Sequence, residues 1–219
     1  MGSTKDAAYT ERLAGLERGW KRLLDVQRPY REHLRRLAPG RFLEVGCGLG
    51  RNLQNTRAFA DGLGIDHNPD SVAVARARGL QALTTDEFHR SAQAVAGAFD
   101  TLLVSHVLEH LTREAALGLL RTYLPFVKAG GKVIVVTPQE AGFRSDPTHV
   151  TFFNLPACAR LLAEAGVTVL RQESFPFPRW VGMLFTYNEF VTVGRLPGST
   201  PQSPEHQPGG QRAEQRGRG

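Results

Sequence analysis

Two carboxylates flank a run of glycines in the first third of the chain. Glu44 precedes the turn Gly46-x-Gly48-x-Gly50, and Asp66 closes the next apolar stretch, Gly62 to Asp66. Glycines leave no Cβ between the backbone and an approaching ligand, and a helix starting near Leu49 would aim its N-terminal N–H groups at the same spot. An ionised acid at Asp66 only accepts hydrogen bonds, which suits the paired hydroxyls of a ribose. A second set of reactive residue types, Ser105, His106, Glu109 and His110, follows the apolar run Phe99 to Ser105. A third, Asp146-Pro147-Thr148-His149, lies in a polar stretch rich in turn formers. Histidine titrates near neutrality, so these sets could move a proton beside a cofactor held at the glycine turn. His106-x-x-Glu109-His110 also spells the inverted zinc-protease motif. That motif needs both histidines on one helix face, whereas His106 directly follows a buried strand, so no metal is expected.

The elements that must position these groups alternate between strand and helix signals. Phe42 to Val45 reads as a strand, then come the glycine turn and a helix. Gly62 to Asp66 is a second strand, and Asn68-Pro69-Asp70 opens a helix to about Arg78, with Pro69 suited to its first turn. Leu80 to Thr84 is a third strand. Phe99 to Ser105 has the continuous apolar character of a buried parallel strand and precedes a helix from about Arg113 to Phe126. Gly130-Gly131 turns into a strand from Lys132 to Thr137. Residues 138 to 153 are irregular, as substrate-holding loops are. Leu155 to Ala165 is the last helix, and Val167 to Gln172 and Met183 to Val193 are the last two strands. The pattern predicts an α/β, Rossmann-like doubly wound sheet of about seven strands, mostly parallel with an antiparallel last strand and helices on both faces.

Ahead of the sheet, Tyr9, Leu13, Leu16, Trp20, Leu23 and Leu24, then Tyr30, Leu34 and Leu37, recur every three or four residues. Pro29 interrupts this stripe, so two helices are read, over 8 to 27 and 30 to 38, forming an N-terminal helical cap. The predicted organisation is 1–40 as that cap, 41–195 as the cofactor-binding domain and 196–219 as a disordered tail of Pro, Gly, Gln and Ser.

The formal charge of the 219 residues is +6. It is mostly terminal: residues 1 to 41 carry ten Lys/Arg against five Asp/Glu, whereas residues 42 to 195 balance fourteen against fourteen. A neutral body with a basic N-terminal helix fits a solvated, lipid-facing or partner-facing surface better than a dedicated RNA groove. No apolar run approaches the roughly 20 residues of a membrane span, and the N-terminus lacks an apolar signal core, so the cytoplasm is expected. Cys47 and Cys158 form no Cys-x-x-Cys pair and suggest neither a disulfide framework nor a zinc ribbon.

The glycine turn by itself would admit NAD or FAD, but the dinucleotide fingerprint wants glycine or alanine where this chain has Arg51. Between about Tyr30 and Arg195 the sequence instead resembles the class I S-adenosylmethionine-dependent methyltransferases. Glu44 to Gly50 is similar to that family's first motif and Gly64-Ile65-Asp66 to its second-strand end. Phe99 to His110 is similar to its fourth-strand motif and Ala129 to Val135 to its fifth. The resemblance implies S-adenosyl-L-methionine as cofactor. It places Gly46, Cys47, Gly48 and Gly50 under the methionine and ribose, Asp66 with neighbouring His67 on the ribose, Glu44 near the amino group and Asp86 near adenine. Ser105 and His106 would border the transfer centre.

The sulfonium methyl is already activated, so the protein must mainly align an acceptor and exclude water. An oxygen acceptor is helped by a general base; His149 is the first candidate and His106 the second. The chain has no room for an inserted acceptor domain after the fourth or fifth strand, which favours a small-molecule acceptor. Phe143, Phe152, Phe153, Phe175, Phe177 and Trp180 cluster in sequence near the loop and suggest an apolar pocket. Two other readings stay open: an RNA methyltransferase or RNA-binding module using the basic N-terminal helices, and a non-catalytic cofactor-binding regulator.

Overall fold

A computed structural model describes residues 27–37 and 39–198. The predicted helix over 8 to 27, except for Gln27, and all but the start of the predicted tail lie outside them. Seven strands form one sheet: β1 (Arg41–Val45), β2 (Asp61–Asp66), β3 (Ala82–Thr84), β4 (Phe99–Ser105), β5 (Val127–Pro138), β6 (Thr168–Phe175) and β7 (Glu189–Arg195). Around it lie α1 (Arg28–Leu37), α2 (Arg51–Thr56), α3 (Pro69–Ala77), α4 (Thr85–Arg90), α5 (Arg113–Tyr123), α6 (Glu140–Arg144) and α7 (Leu155–Glu164).

The strand order is β3-β2-β1-β4-β5-β7-β6. Pairs along β3-β2-β1-β4-β5 are parallel, and β7 runs antiparallel to both of its neighbours. Consecutive strand residues face opposite sides. Leu43, Val45, Leu102, Val104, Val133 and Val135 therefore pack into one core with α5 and α7. Phe42, Leu103, Ile134, Val136 and Val191 face the other, where Leu34 and Leu37 of α1 and Val72 and Ala75 of α3 cover them. Such two-sided burial explains the near-continuous apolar runs in the central strands.

Local chemistry sets most element ends. Asn68 caps α3, its side chain accepting from the N–H groups of Asp70 and Ser71, with Pro69 behind it in the first turn. Thr84 and Glu87 form a reciprocal capping box at α4. Asn154 caps α7 by accepting from Ala157.

Several elements differ from the sequence reading. Pro29 is the second residue of α1, where a missing N–H costs nothing, so that helix begins earlier than predicted. β5 begins at Val127 because Gly130-Gly131 passes through the strand at an irregularity opposite Phe99 and Thr101 instead of preceding it. β7 begins at Glu189 and not Met183, since Arg179–Met183 is a 3-10 turn and Asn188 ties the segment down. The side chain of Asn188, fully buried, accepts from Phe177 N and donates to Gln139 Oε1 and Ser174 Oγ. The irregular stretch after β5 holds one helical turn, α6. No helix among the described residues is long and apolar enough to cross a membrane.

Candidate active site

Strand order reverses between β1 and β4, and in open α/β sheets ligands bind at the carboxyl ends of the strands beside such a switch. At the end of β1 the backbone folds back as Gly46 and Cys47 both donate to Ile65 O at the end of β2, at 2.8 and 3.0 Å. Gly46, Gly48 and Gly50 all have positive φ, which explains three glycines in five residues. The packing adds a second reason at two of them: a Cβ on Gly46 would meet Val107 Cγ2 at 2.2 Å, and one on Gly50 would meet Leu80 Cδ1 at 2.4 Å. Two of the three glycines thus answer to the protein's own side chains. Cys47 is similarly turned inward, its thiol in the core and pushed far up by burial, so only its backbone faces outward.

Asp66 ends β2 with one oxygen accepting from Gly48 N at 2.8 Å and the other from Asn68 N at 2.9 Å. A carboxylate has about four acceptor positions. It retains capacity for two further donors while being held rigidly against the turn. His67 Nδ1 lies 3.5 Å from Asp66 Oδ1 at the more exposed rim. Asp86 is exposed in the first turn of α4, beyond the Asp66–Thr84 pair of β2 and β3. Glu44 is buried within β1; its Oε1 accepts from Asn52 at 2.7 Å and its Oε2 has no partner. Burial pushes this carboxyl up to about 8, against the Asn52 hydrogen bond and the Arg51 charge. A buried acid with an unmatched oxygen beside the glycine turn suits a cationic donor such as an amino group. These residues fit a ligand with an ammonium at one end and vicinal hydroxyls at the other.

At the end of β4, Ser105 is buried and His106 has φ 56, the one positive value outside glycine among the described residues. Such a conformation costs on the order of 1–3 kcal/mol and persists when its surroundings over-determine it. Here His106 Nε2 lies 2.7 Å from Glu189 Oε1 and its Nδ1 3.2 Å from Glu109 Oε1. Burial would lower the imidazole's pKa, but Glu189 and Glu109 together raise it to about 9. With a carboxylate facing each ring nitrogen the cationic form is favoured, an arrangement that suits an ion-pair bridge better than a base. Glu189, which sequence reasoning did not single out, comes from the start of β7; the only signal was a polar Asn188-Glu189 pair ahead of the apolar Phe190 to Val193.

His149 is brought close to His110, with ring centroids 4.8 Å apart, and stacks on Phe143. Its Nδ1 lies 2.8 Å from Phe143 O. A carbonyl only accepts, so Nδ1 carries a hydrogen, and in the neutral tautomer the lone pair is on Nε2. The loop is fastened to the turn after β4: Val150 N and Thr151 N both donate to Glu109 O, and Thr151 Oγ1 to Leu111 O.

A cleft between α1 and the ends of β1 and β4 is lined by Tyr30, His33, Arg51, Asn52, Ser105 and Glu189 among others. Water-sized molecules have only about 20 Å³ for their centres in it, room for about one. Tyr30 closes it, its hydroxyl donating to Tyr187 O. The aromatic residues expected to share one pocket divide instead. Phe153 is core, Phe143 and Phe152 pack beside His149, Phe175 packs on Tyr30 and His33, and Phe177 and Trp180 are exposed. Helix α6 and the Asn188 network hold these groups apart.

The family model described as a methyltransferase domain matches residues 16–172. No curated protein matches the sequence. Among solved structures, the fold is similar to that of a SAM-dependent methyltransferase from Archaeoglobus fulgidus, with TM-score 0.62, 18% identity and coverage of 80% of this chain and 97% of that one. It is also similar to magnesium protoporphyrin IX methyltransferase from Synechocystis with bound SAH, with TM-score 0.62, 14% identity and coverage of 88% and 96%. A SAM-dependent methyltransferase structure from Methanosarcina mazei matches with TM-score 0.55, 14% identity and coverage of 74% and 94%.

Proposed function

Because the chain belongs to the methyltransferase-domain family, the class I enzymes that use S-adenosylmethionine, we propose that it methylates a small-molecule acceptor at an oxygen nucleophile. The cofactor supplies, when bound, an activated methyl group on a sulfonium. Asp66 would accept both ribose hydroxyls on the positions left by Gly48 and Asn68, and Glu44 would receive the amino group on its unmatched oxygen. Gly46, Gly48 and Gly50 shape the floor; Asp86 and His67 stand at the adenine and ribose rim; Ser105 borders the reacting carbon. Helix α1, as a cap, would withdraw to admit the cofactor, since the cleft beneath it holds little more than water.

The observation that carries the oxygen reading is the His149 lone pair. Its Nδ1–H is spent on Phe143 O, so in the neutral ring Nε2 is the nitrogen left to take an acceptor's proton. The small-acceptor reading is supported by the short connection from β4 to α5, a single 3-10 turn with no inserted domain. The test is an acceptor screen by mass shift with hydroxylated and amine-bearing candidates, together with titration of the cofactor into His149→Ala. The variant should bind S-adenosylmethionine like the parent and lose roughly 10²–10⁴-fold in turnover. Absence of cofactor binding by the intact protein, or methylation of amines alone, overturns the proposal.

A further inference from the structure

The 3-10 turn Leu108–His110 and the loop before Asn154 bring three potential metal ligands together. One ligand atom each from Glu109, His110 and His149 lies within 4.8 Å of the others. We propose that these residues form a binding site for a divalent transition-metal ion, contrary to the expectation from sequence that the chain holds none.

Four observations point to a cation here. The first is the histidine tautomers. Thr148 Oγ1 donates to Asp146 Oδ1 at 2.7 Å, so toward His110 Nδ1, 3.1 Å away, it can only accept. His110 Nδ1 therefore carries its hydrogen, and the ring's remaining lone pair is on Nε2. His149 is fixed in the same tautomer by Phe143 O. Metal-binding histidines usually donate their second ring N–H to a carbonyl or similar acceptor, which orients the ring and raises its basicity. Both rings here already do so. The second observation is Glu109. It is fully buried, its Oε1 lies 3.2 Å from His106 Nδ1, and its Oε2 has no hydrogen-bond partner. A buried carboxylate oxygen without a donor is costly unless something positive arrives. The third is anchorage: Val150 and Thr151 N–H groups bind Glu109 O, so the loop carrying His149 is attached to the turn that carries the other two ligands. The fourth is access, since Glu109 is buried while His110 and His149 are only partly so, leaving one side open.

Two imidazoles and one carboxylate suit Zn²⁺, Mn²⁺, Fe²⁺ or Co²⁺ better than Mg²⁺ or Ca²⁺, which prefer all-oxygen ligand sets. Ligand bonds of about 2.0–2.2 Å require the three atoms to draw closer than they now lie, a movement for the loop bearing His149. Three protein ligands leave open coordination positions. Resting on the oxygen-acceptor reading, the chemical consequence is that the ion takes over the task of a base, His149 Nε2 being then a ligand: an acceptor hydroxyl, such as a phenol or one of a vicinal pair, would occupy an open position and its pKa would fall. Its proton goes to water, its electron pair forms the bond to the methyl carbon, and the carbon–sulfur bond breaks to leave a neutral thioether. His106, bridging Glu109 to Glu189, then links the metal to the cofactor side as a positioning residue.

The full chain, stripped with chelator, is titrated with Co²⁺ and followed by its d–d absorption, then with Zn²⁺ and Mn²⁺ by calorimetry, with S-adenosylmethionine titrated separately. Saturable uptake of roughly one equivalent is expected, weakened at least about tenfold in each of Glu109→Gln, His110→Ala and His149→Ala. Cofactor affinity should stay near the parent's in the two histidine variants. In the unsubstituted protein, imidazole ¹⁵N spectra with Zn²⁺ should move Nε2 of His110 and His149 and leave His89 unchanged, which tests the site even if a variant fails to fold. No saturable uptake, or uptake equal in all three variants with other histidines shifted, overturns the proposal. Metal uptake without cofactor binding would overturn the methyltransferase reading and leave the metal site standing.

Discussion

Asp66 and Glu44 show how two acids beside one glycine turn can be given different tasks by their surroundings. Asp66 already accepts two backbone N–H groups, so it is preorganised and rigid. Asp66→Ala removes charge-assisted hydrogen bonds of roughly 1.5–3 kcal/mol each. S-adenosylmethionine, losing two such bonds, should bind about 10²–10⁴-fold more weakly, read by calorimetry; affinity equal to the parent's would refute the ribose placement. Glu44 carries its charge poorly in the ligand-free protein, because burial raises its pKa from 4.5 to about 8. A raised folded-state value means that its contribution to stability is fully present below about pH 4.5 and is lost as pH rises through about 8. The parent's melting temperature should therefore fall between pH 5 and 8 more than that of Glu44→Gln. Pairing with the cofactor's ammonium needs the ionised form, so binding at pH 7 should release protons in the parent and none from this site in the variant. Calorimetry in buffers of different ionisation enthalpy would register the difference.

The elements place these groups through their ends. Helix α2 has no side-chain cap; Gly50 in the left-handed region is its N-cap. Alanine there is strained by its positive φ and places Cβ 2.4 Å from Leu80 Cδ1 and 3.3 Å from Ala75 Cβ. Gly50→Ala should destabilise the protein by about 1–3 kcal/mol, visible as a lower denaturation midpoint with an unchanged m-value. A cost near zero would mean the turn relaxes freely and does not hold the site in shape. Helix starts of this kind are legible in the chain. Asn68 with Pro69 ahead of α3, and Asn154 with Pro156 at the start of α7, announce helices by side-chain chemistry that acts within three residues. The starts of β5 and β7 are not legible, because a strand's extent depends on what lies across from it. Gly131 is accommodated in β5 only where the backbone of Asp100 passes close by, and β7 begins where Asn188 finishes its network with Gln139 and Ser174.

Across the whole molecule, the basic surplus that invited an RNA reading falls partly on α1, where Arg36 pairs with Glu32 and Arg35 lies over the Phe59 ring. Charges already engaged at one helix make a poor continuous phosphate track. Neutralising Arg31, Arg35 and Arg36 together should leave methyl transfer to a small acceptor unchanged, and the parent should show no steeply salt-dependent RNA affinity in a filter-binding titration. Affinity that falls linearly on a log–log salt plot and collapses in the triple variant would restore the RNA reading. The sequence by itself determined the sheet and its glycine turn, because strand periodicity, helix caps and positive-φ glycines are local demands that neighbouring residues satisfy. Only the tertiary structure decided that His106 is held between Glu109 and Glu189, and that His149 meets Glu109 and His110. Those partners are up to 83 residues apart, and they meet because the sheet order brings the ends of β4, β5 and β7 together, a juxtaposition that no short-range pattern in the chain encodes.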